Sequence, residues 1–296
     1  ANHFATVILK EAGRMLAHYQ GFWHFDIGQN AYRHPVATEI IKKINDAANW
    51  VCSNVESDKF TADVAVVYHQ QSQYWNIPWR YSRSNFPSTI INDQIYSMRT
   101  SGIAFDSIFL ADLMANPEFQ KYKVYIFMNT FHLNEKETQF IREKLQRDGK
   151  VLVWNYAPGF LSEKGISVDQ VSALTGIKTV YNPEPSSPLC EPIAGAALSE
   201  NLQPNLGLGD VYQRRFSLRK NNSWRMNMPR FWLNDEAASA VARYYDTGQT
   251  AVAMKRFPQW TSIYSAQLGG IDAELLHNIV REAGAYTLTD RSGLIV

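Results

Sequence analysis

Between about Asp63 and Tyr286, continuous apolar runs alternate with segments whose apolar residues recur every three or four positions. That alternation constrains the chain more than any other feature. A strand that is apolar at every position has to be buried on both faces, and the amphipathic helices between such strands are what cover it. The runs at 63–68, 103–109, 123–128 and 150–154 read as strands of this kind. Between them the sequence predicts a helix opened by Pro87 and Ser88 that runs through Ile90, Ile91, Ile95 and Met98 to Gly102, and a short one over 110–115. A third is predicted from Asn134 through Phe140, Ile141 and Leu145 to Gly149. Asn134 with Glu137 three residues on is a reciprocal N-cap pair. Residues 182–209, rich in Pro, Ser and Gly, read as an irregular stretch with one short element. Apolar runs return at 230–233, 250–254 and 261–265, and a last helix covers 272–283. The expected fold is α/β, a mostly parallel sheet of Rossmann or flavodoxin-like type with helices on both faces.

The opening of the chain does not belong to that series. Phe4, Val7, Ile8, Ala12, Met15 and Leu16 mark an amphipathic helix, GFWHFDI (21–27) a buried strand, and Ile40, Ile41, Ile44 and Ala48 one face of a helix from Val36 to Cys52. A lone strand cannot satisfy its edge hydrogen bonds, so it must join a sheet built elsewhere. Residues 1–56 are therefore expected to form a helix–strand–helix unit of their own, with 57–296 as the α/β domain. The chain is expected to start inside a larger fold.

Lys and Arg number 29 against 28 acidic residues, so no net field draws in nucleic acid or an anionic membrane, and neither partner is expected. No apolar run reaches the roughly 18 residues of a membrane span, and the first residues lack a signal peptide's basic and apolar regions. The chain reads as soluble, with its compartment open. Cys52 and Cys190 stand far apart with no CxxC and no His/Cys pattern. The 8 Trp and 15 Tyr supply either a large aromatic core or exposed rings for stacking flat, half-apolar ligands such as sugars.

In an open α/β sheet ligands sit at the carboxyl ends of the strands. The turn after the fourth strand, Asn155 to Gly159, has the place of a hydrolase or amidotransferase nucleophile but no Ser or Cys at its centre. No Gly-x-Gly-x-x-Gly follows the first strand, so nucleotide binding is not expected. The histidines, His3, His18, His24, His34, His69, His132 and His277, form no metal-site spacing and read as solvated or structurally satisfied. No cofactor and no metal is expected. On the strand at 21–27, His24 and Asp26 share one side and Trp23 takes the other; the imidazole and carboxylate either line a ligand pocket or leave Asp26 as a hydrogen-bonding cap. A pair of glycosidase carboxylates cannot be assembled, since Asp106 falls within a strand and the glutamates lie mostly on helices and loops.

GFWHFDI, followed by a turn, Tyr32, Arg33, His34, Pro35 and a helix, resembles the eighth strand and closing helix of the TIM barrel in β-galactosidase-like glycoside hydrolases of the family 42 type. DVAVVY (63–68), NDQIYSMRTSGIAFD (92–106), YKVYIFMNTF (122–131), GKVLVWNYAPG (149–159) and LLHNIVREAGAY (275–286) are similar to the trimerisation domain of those enzymes. That domain has the fold of class I glutamine amidotransferases without the catalytic Cys. The resemblance covers nearly the whole chain. It implies the C-terminal portion of a glycoside hydrolase acting on carbohydrate, a missing N-terminal barrel portion that holds the catalytic glutamates, and a homo-oligomer, with a trimer the first expectation. It carries no catalytic residue onto this chain. It places Trp23, His24 and Asp26 where a sugar subsite would be. The loop from Tyr74 to Tyr81 is the candidate for touching substrate or a neighbouring subunit, or else packs on its own domain. The alternatives are a non-catalytic carbohydrate-binding or scaffolding protein, and a degenerate amidotransferase-like enzyme using Cys190 or Cys52.

Overall fold

The computed structural model describes residues 62–74, 94–184, 186–203, 229–268 and 271–293, together with Ile91 and scattered helical positions between Glu39 and Ser53. The chain divides into two compact units, Ala1–Thr61 and Ala62–Val296. In the first, Glu39, Lys42, Lys43, Asp46, Asn49, Trp50 and Ser53 are helical and exposed, at the spacing of one helix face. Lys43 pairs with Glu39 at 2.7 Å, and the Ser53 hydroxyl donates to the Asn49 carbonyl at 2.9 Å. These positions complement the apolar stripe predicted for that helix. The strand at 21–27, with Trp23, His24 and Asp26, lies outside the described residues, as do the first helix and residues 75–81 of the aromatic loop.

The second unit is built on a ten-stranded sheet. Strands β1 (Val64–Tyr68), β2 (Phe105–Phe109), β3 (Val124–Phe127), β4 (Lys150–Asn155) and β12 (Trp260–Ser265) run parallel, side by side in the order β2-β1-β3-β4-β12. All of β3 and β4 is buried. Since neighbouring side chains on a strand point to opposite faces, both faces of the sheet are covered here. On one face Val64, Val66, Val124, Ile126, Val151, Val153 and Ile263 form a cluster with Met98 of α2 (Gln94–Thr100) and Leu275, Leu276, Ile279 and Val280 of α6 (Ala273–Glu282). The alternating residues, Tyr125, Phe127, Leu152 and Trp154, are equally buried on the other face. There Trp154 stacks on Phe127 with ring centroids 4.5 Å apart, and its Nε1–H donates to Ser262 Oγ at 3.0 Å. Ser262 in turn donates to the Thr175 carbonyl at the end of α5 (Val168–Thr175), fastening that helix to the sheet.

The remaining elements include α1 (Gln70–Tyr74), α3 (Leu110–Ala115) and α4 (Glu135–Phe140), which continues as a π turn over Ile141–Leu145. The reciprocal cap at Asn134 and Glu137 is present as the sequence predicts, and so is the bare helix over 110–115. A short hairpin joins β5 (Leu161–Ser162) to β6 (Gly165–Ile166). Beyond β12 the sheet turns antiparallel through β11 (Thr250–Arg256), β10 (Ser239–Tyr244) and β8 (Cys190–Pro192), while β9 (Arg230–Leu233) bridges β11 and β7 (Thr179–Asn182). Apolar runs in the sequence mark β9, β11 and β12 but not β7, β10 or α5. After α6 the chain returns to the α2–β2 junction, where Leu288 N–H donates to the Gly102 carbonyl and Gly293 N–H to that of Thr100, both at 2.7 Å. Gly102 has φ +71°, and a Cβ built there would overlap Thr289 Oγ1, so both backbone and neighbour require glycine.

Candidate functional site at the carboxyl edge of the sheet

The strand order reverses at β1, so the crevice between β1 and β3 is where such a sheet holds a ligand. His69, directly after β1, and Asn129, just past β3, prolong the strand pairing through a side chain. His69 N–H donates to Asn129 Oδ1 at 2.8 Å and Asn129 Nδ2–H to the His69 carbonyl at 3.0 Å. The His69 ring lies 2.8 Å through Nδ1 from Ser72 Oγ and 3.1 Å through Nε2 from Glu137 Oε1. Its neighbour His132 stacks parallel to it, centroids 6.4 Å apart. Burial and the adjacent His69 push the His132 ring below its ordinary pKa. Burial alone would raise Glu137, yet the hydrogen bonds from His69 and the Asn134 N–H outweigh it and hold the carboxyl below its ordinary value.

Serine, histidine and glutamate in contact are the components of a hydrolytic triad. Here they do not compose one. Ser72 is fully buried, its hydroxyl donates to the His132 carbonyl at 3.2 Å, and it accepts the His132 N–H at 3.0 Å. Its hydroxyl is enclosed between the His69 ring and the His132 backbone, and no substrate reaches it. The cluster is a clasp that ties β1, α1 and α4 together. The sequence leaves His69 and His132 as solvated or structurally satisfied and does not bring them together, because the partners of His69 stand 68 positions apart in Glu137 and 60 in Asn129. The one available signal is their shared place just beyond strand ends.

At the end of β4 the backbone makes a sharp turn in which Tyr156 takes φ +63° and Gly159 φ +67°. A non-glycine residue held there is strained by about 1–3 kcal/mol and persists only where its surroundings fix it. Four hydrogen bonds and a ring contact do so. Tyr156 N–H donates to the Ser265 carbonyl at 2.8 Å, Tyr264 OH to the Tyr156 carbonyl at 2.6 Å, and Tyr156 OH to the Pro229 carbonyl at 2.6 Å. Gly159 N–H donates to the Thr130 carbonyl at 2.8 Å, and the Tyr156 ring meets Phe231 edge-on at 5.3 Å. A strained turn at the top of a sheet strand is how a nucleophile elbow presents its serine or cysteine. In this chain the tip carries a buried phenol. The strained geometry is a finding that the sequence pattern did not announce.

Cys190 is no substitute. Its thiol lies buried in β8, 3.5 Å from the Pro188 carbonyl, and burial pushes its pKa far up, away from thiolate; Cys52 lies outside the described residues. Asp106, in β2, accepts the Tyr122 hydroxyl at 2.6 Å. Among the described residues no group of three or more His, Cys, Asp or Glu side chains is placed to hold a metal ion, and no helix is long and apolar enough to cross a membrane. Beside the elbow a groove of about 510 Å³ opens between α4, the β5–β6 hairpin and α5.

No family model matches the sequence, and no curated protein does. Solved structures do match. A polyextremophilic β-galactosidase from the Antarctic haloarchaeon Halorubrum lacusprofundi superposes with a TM-score of 0.60 at 12% identity, over 85% of this chain and 34% of that one. Gan42B, a GH42 β-galactosidase from G. stearothermophilus, gives 0.56 at 11% identity over 84% and 34%. The β-galactosidase of the psychrophilic Marinomonas ef1 gives 0.52 at 12% over 87% and 36%. At these identities the likeness is one of fold, and what this chain shares with these β-galactosidases is the fold of about a third of their length.

Proposed function

We propose that this chain is the C-terminal portion of a β-galactosidase-like glycoside hydrolase acting in carbohydrate degradation. On this reading the α/β unit is its amidotransferase-like, trimerisation-type domain, which serves assembly and shapes one wall of the active-site cleft. The observation that carries the proposal is the coverage: the likeness takes in most of this chain while spanning about a third of each β-galactosidase. The parallel order β2-β1-β3-β4-β12 supports the flavodoxin-like core that such a domain has. A strained elbow with Tyr156 at its tip supports descent from an amidotransferase-like fold whose nucleophile is gone. Residues 1–56 are then the last helix–strand–helix of the barrel, with Trp23, His24 and Asp26 at a sugar subsite, and the catalytic glutamates belong to barrel strands outside this chain. Assembly through the domain as an obligate homo-oligomer would bury on the order of 2,000 Å² or more.

The test is the intact mass of the source material together with hydrolysis of a panel of aryl glycosides. A species several hundred residues longer that cleaves aryl galactosides supports the proposal. A 33.8 kDa protein that folds, binds sugars and cleaves none of the panel overturns it and leaves a carbohydrate-binding protein. Within an active parent, Asp26→Ala raises KM for galactosides if the subsite is placed correctly, and leaves kcat and KM unchanged if it is not.

A further inference from the structure

His132 is the residue on which the clasp turns. Its backbone joins two elements. Its N–H is held by Ser72 Oγ of α1 at 3.0 Å, and it forms a parallel bridge with Leu161 of β5. Around that bridge Leu161 N–H donates to the Phe131 carbonyl at 2.8 Å and Leu133 N–H to the Leu161 carbonyl at 3.1 Å. Both elements are weak by themselves. α1 has five residues and buries only Ser72, and so short a helix does not stand alone in water. The β5–β6 ladder has two residue pairs, less than an independent hairpin needs. The segment that carries His132 keeps each of them in place.

The His132 ring lies buried and parallel to that of His69, centroids 6.4 Å apart. The cluster has bonds for one proton. With His69 protonated at both nitrogens, Nε2–H donates to Glu137, Nδ1–H to Ser72 Oγ, and the Ser72 hydroxyl to the His132 carbonyl. A second proton, on His132, is not balanced. Both oxygens of Glu137 are engaged, one by His69 and the other by the Asn134 N–H, and like charges this close repel strongly away from water. α1 brings no charged side chain, and the other carboxylate whose field reaches His132 is Glu163, in the exposed β5–β6 turn. We propose that the clasp is a proton-operated latch: loading His132 with a proton releases α1 and the β5–β6 hairpin from the carboxyl edge while the sheet stays folded.

Burial first, and His69 second, hold the His132 ring below its ordinary pKa against the pull of Glu137 and Glu163. The closed form therefore takes the proton less readily than the open one. The latch is shut above about pH 6.5, the value of a solvated imidazole, and opens as pH falls below it. One proton taken up on opening multiplies the open fraction by up to about tenfold per pH unit. This holds whether or not the parent protein is a glycoside hydrolase.

The experiment is native-state hydrogen exchange of the full chain between about pH 7.5 and pH 5 in low urea, corrected for the intrinsic exchange rate. The His132 and Leu161 amides are expected to open by a route insensitive to urea, because local opening exposes little surface, and to open about tenfold more per pH unit below about pH 6.5. Val153 in β4 is expected to exchange only through urea-sensitive global unfolding. His132→Gln, polar but without a proton to take up, is expected to abolish the pH slope at Leu161. The proposal is overturned if His132 and Leu161 share the urea dependence of Val153, if acid does not speed their opening, or if the slope survives His132→Gln. Should that variant fail to fold, the comparison of Leu161 with Val153 in the unaltered chain decides by itself.

Discussion

The parallel and antiparallel halves of the sheet are held together differently. In the parallel half, β4 is buried at every position and its contacts are apolar, with Val151, Val153 and the Phe127–Trp154 stack filling both faces. In the antiparallel half, β10 mixes exposed and buried positions, with Val241 and Ala242 buried in succession, and polar fixtures are added to its apolar packing. Arg230 is almost wholly buried, bonded through both terminal nitrogens to Asp246, and lies 4.0 Å over the Tyr244 ring. The Tyr244 hydroxyl reaches the Phe231 and Ala266 carbonyls at 2.9 and 3.3 Å. The parallel half is held chiefly by apolar burial, while the antiparallel half adds individual polar bonds between distant segments to the same apolar cluster.

Removing a large ring from the parallel half should produce the largest effect. Trp154→Ala deletes the stack on Phe127 and the bond to Ser262, and is expected to cost about 3–5 kcal/mol, read as a fall in the urea midpoint of unfolding. A loss under 1 kcal/mol would mean that the two halves do not differ in kind. Asp246→Ala attacks the other half by leaving the Arg230 guanidinium buried beside Tyr244. Asp246 itself is 41% exposed, so solvent tempers the pair and the expected cost is about 1–3 kcal/mol. Arg230→Met in the same background should recover part of that loss, because it removes the stranded charge; no recovery would show that the bond does not matter.

Gly102→Ala tests a third kind of fixture, the return of the tail across the α2–β2 junction. Its φ of +71° and the clash with Thr289 predict a loss of about 1–3 kcal/mol, with faster hydrogen exchange at the Leu288 and Gly293 amides. Unchanged exchange there would disconnect the tail from this glycine.

Acid should act most gently, and through the clasp. Glu137 sits below its ordinary value when folded, so its contribution is present above the unfolded carboxylate pKa and lost as pH falls through the lowered folded one. His132, also lowered, resists a proton that the unfolded chain accepts, so stability declines as pH drops below about 6.5. Both signs point the same way. Urea midpoints measured from pH 7.5 down to about pH 2.5 should fall, and Glu137→Gln should flatten the carboxylate part of that fall below about pH 4.5; a midpoint independent of pH would remove the clasp from the account.

The legibility of these parts follows their physics. β1, β3 and β4 were readable because burial on both faces demands unbroken apolar runs, and the Asn134–Glu137 cap because both partners lie within one turn. β10 escaped because SAVARY mixes a strand's small apolar residues with Ser and Arg, as an antiparallel strand with one part-exposed side permits. α5 is only eight residues long, too short for periodicity to stand out. The missing nucleophile at the turn after β4 was legible in residue identity, whereas its strained backbone and the second duty of Glu137 toward His69 depend on segments brought together by folding. Trp23, His24 and Asp26 remain a proposal, since they fall outside the described residues.

The Tyr156 turn also bears on how this fold can change. Its phenol and backbone join the ends of β4 and β12 to the residue just before β9, so the turn is a rivet between the two halves of the sheet. A serine or cysteine in place of Tyr156 would remove the ring against Phe231 and the bond to Pro229. Single substitutions of Tyr156 are therefore expected to loosen the junction between β4, β12 and the start of β9 before they alter anything else.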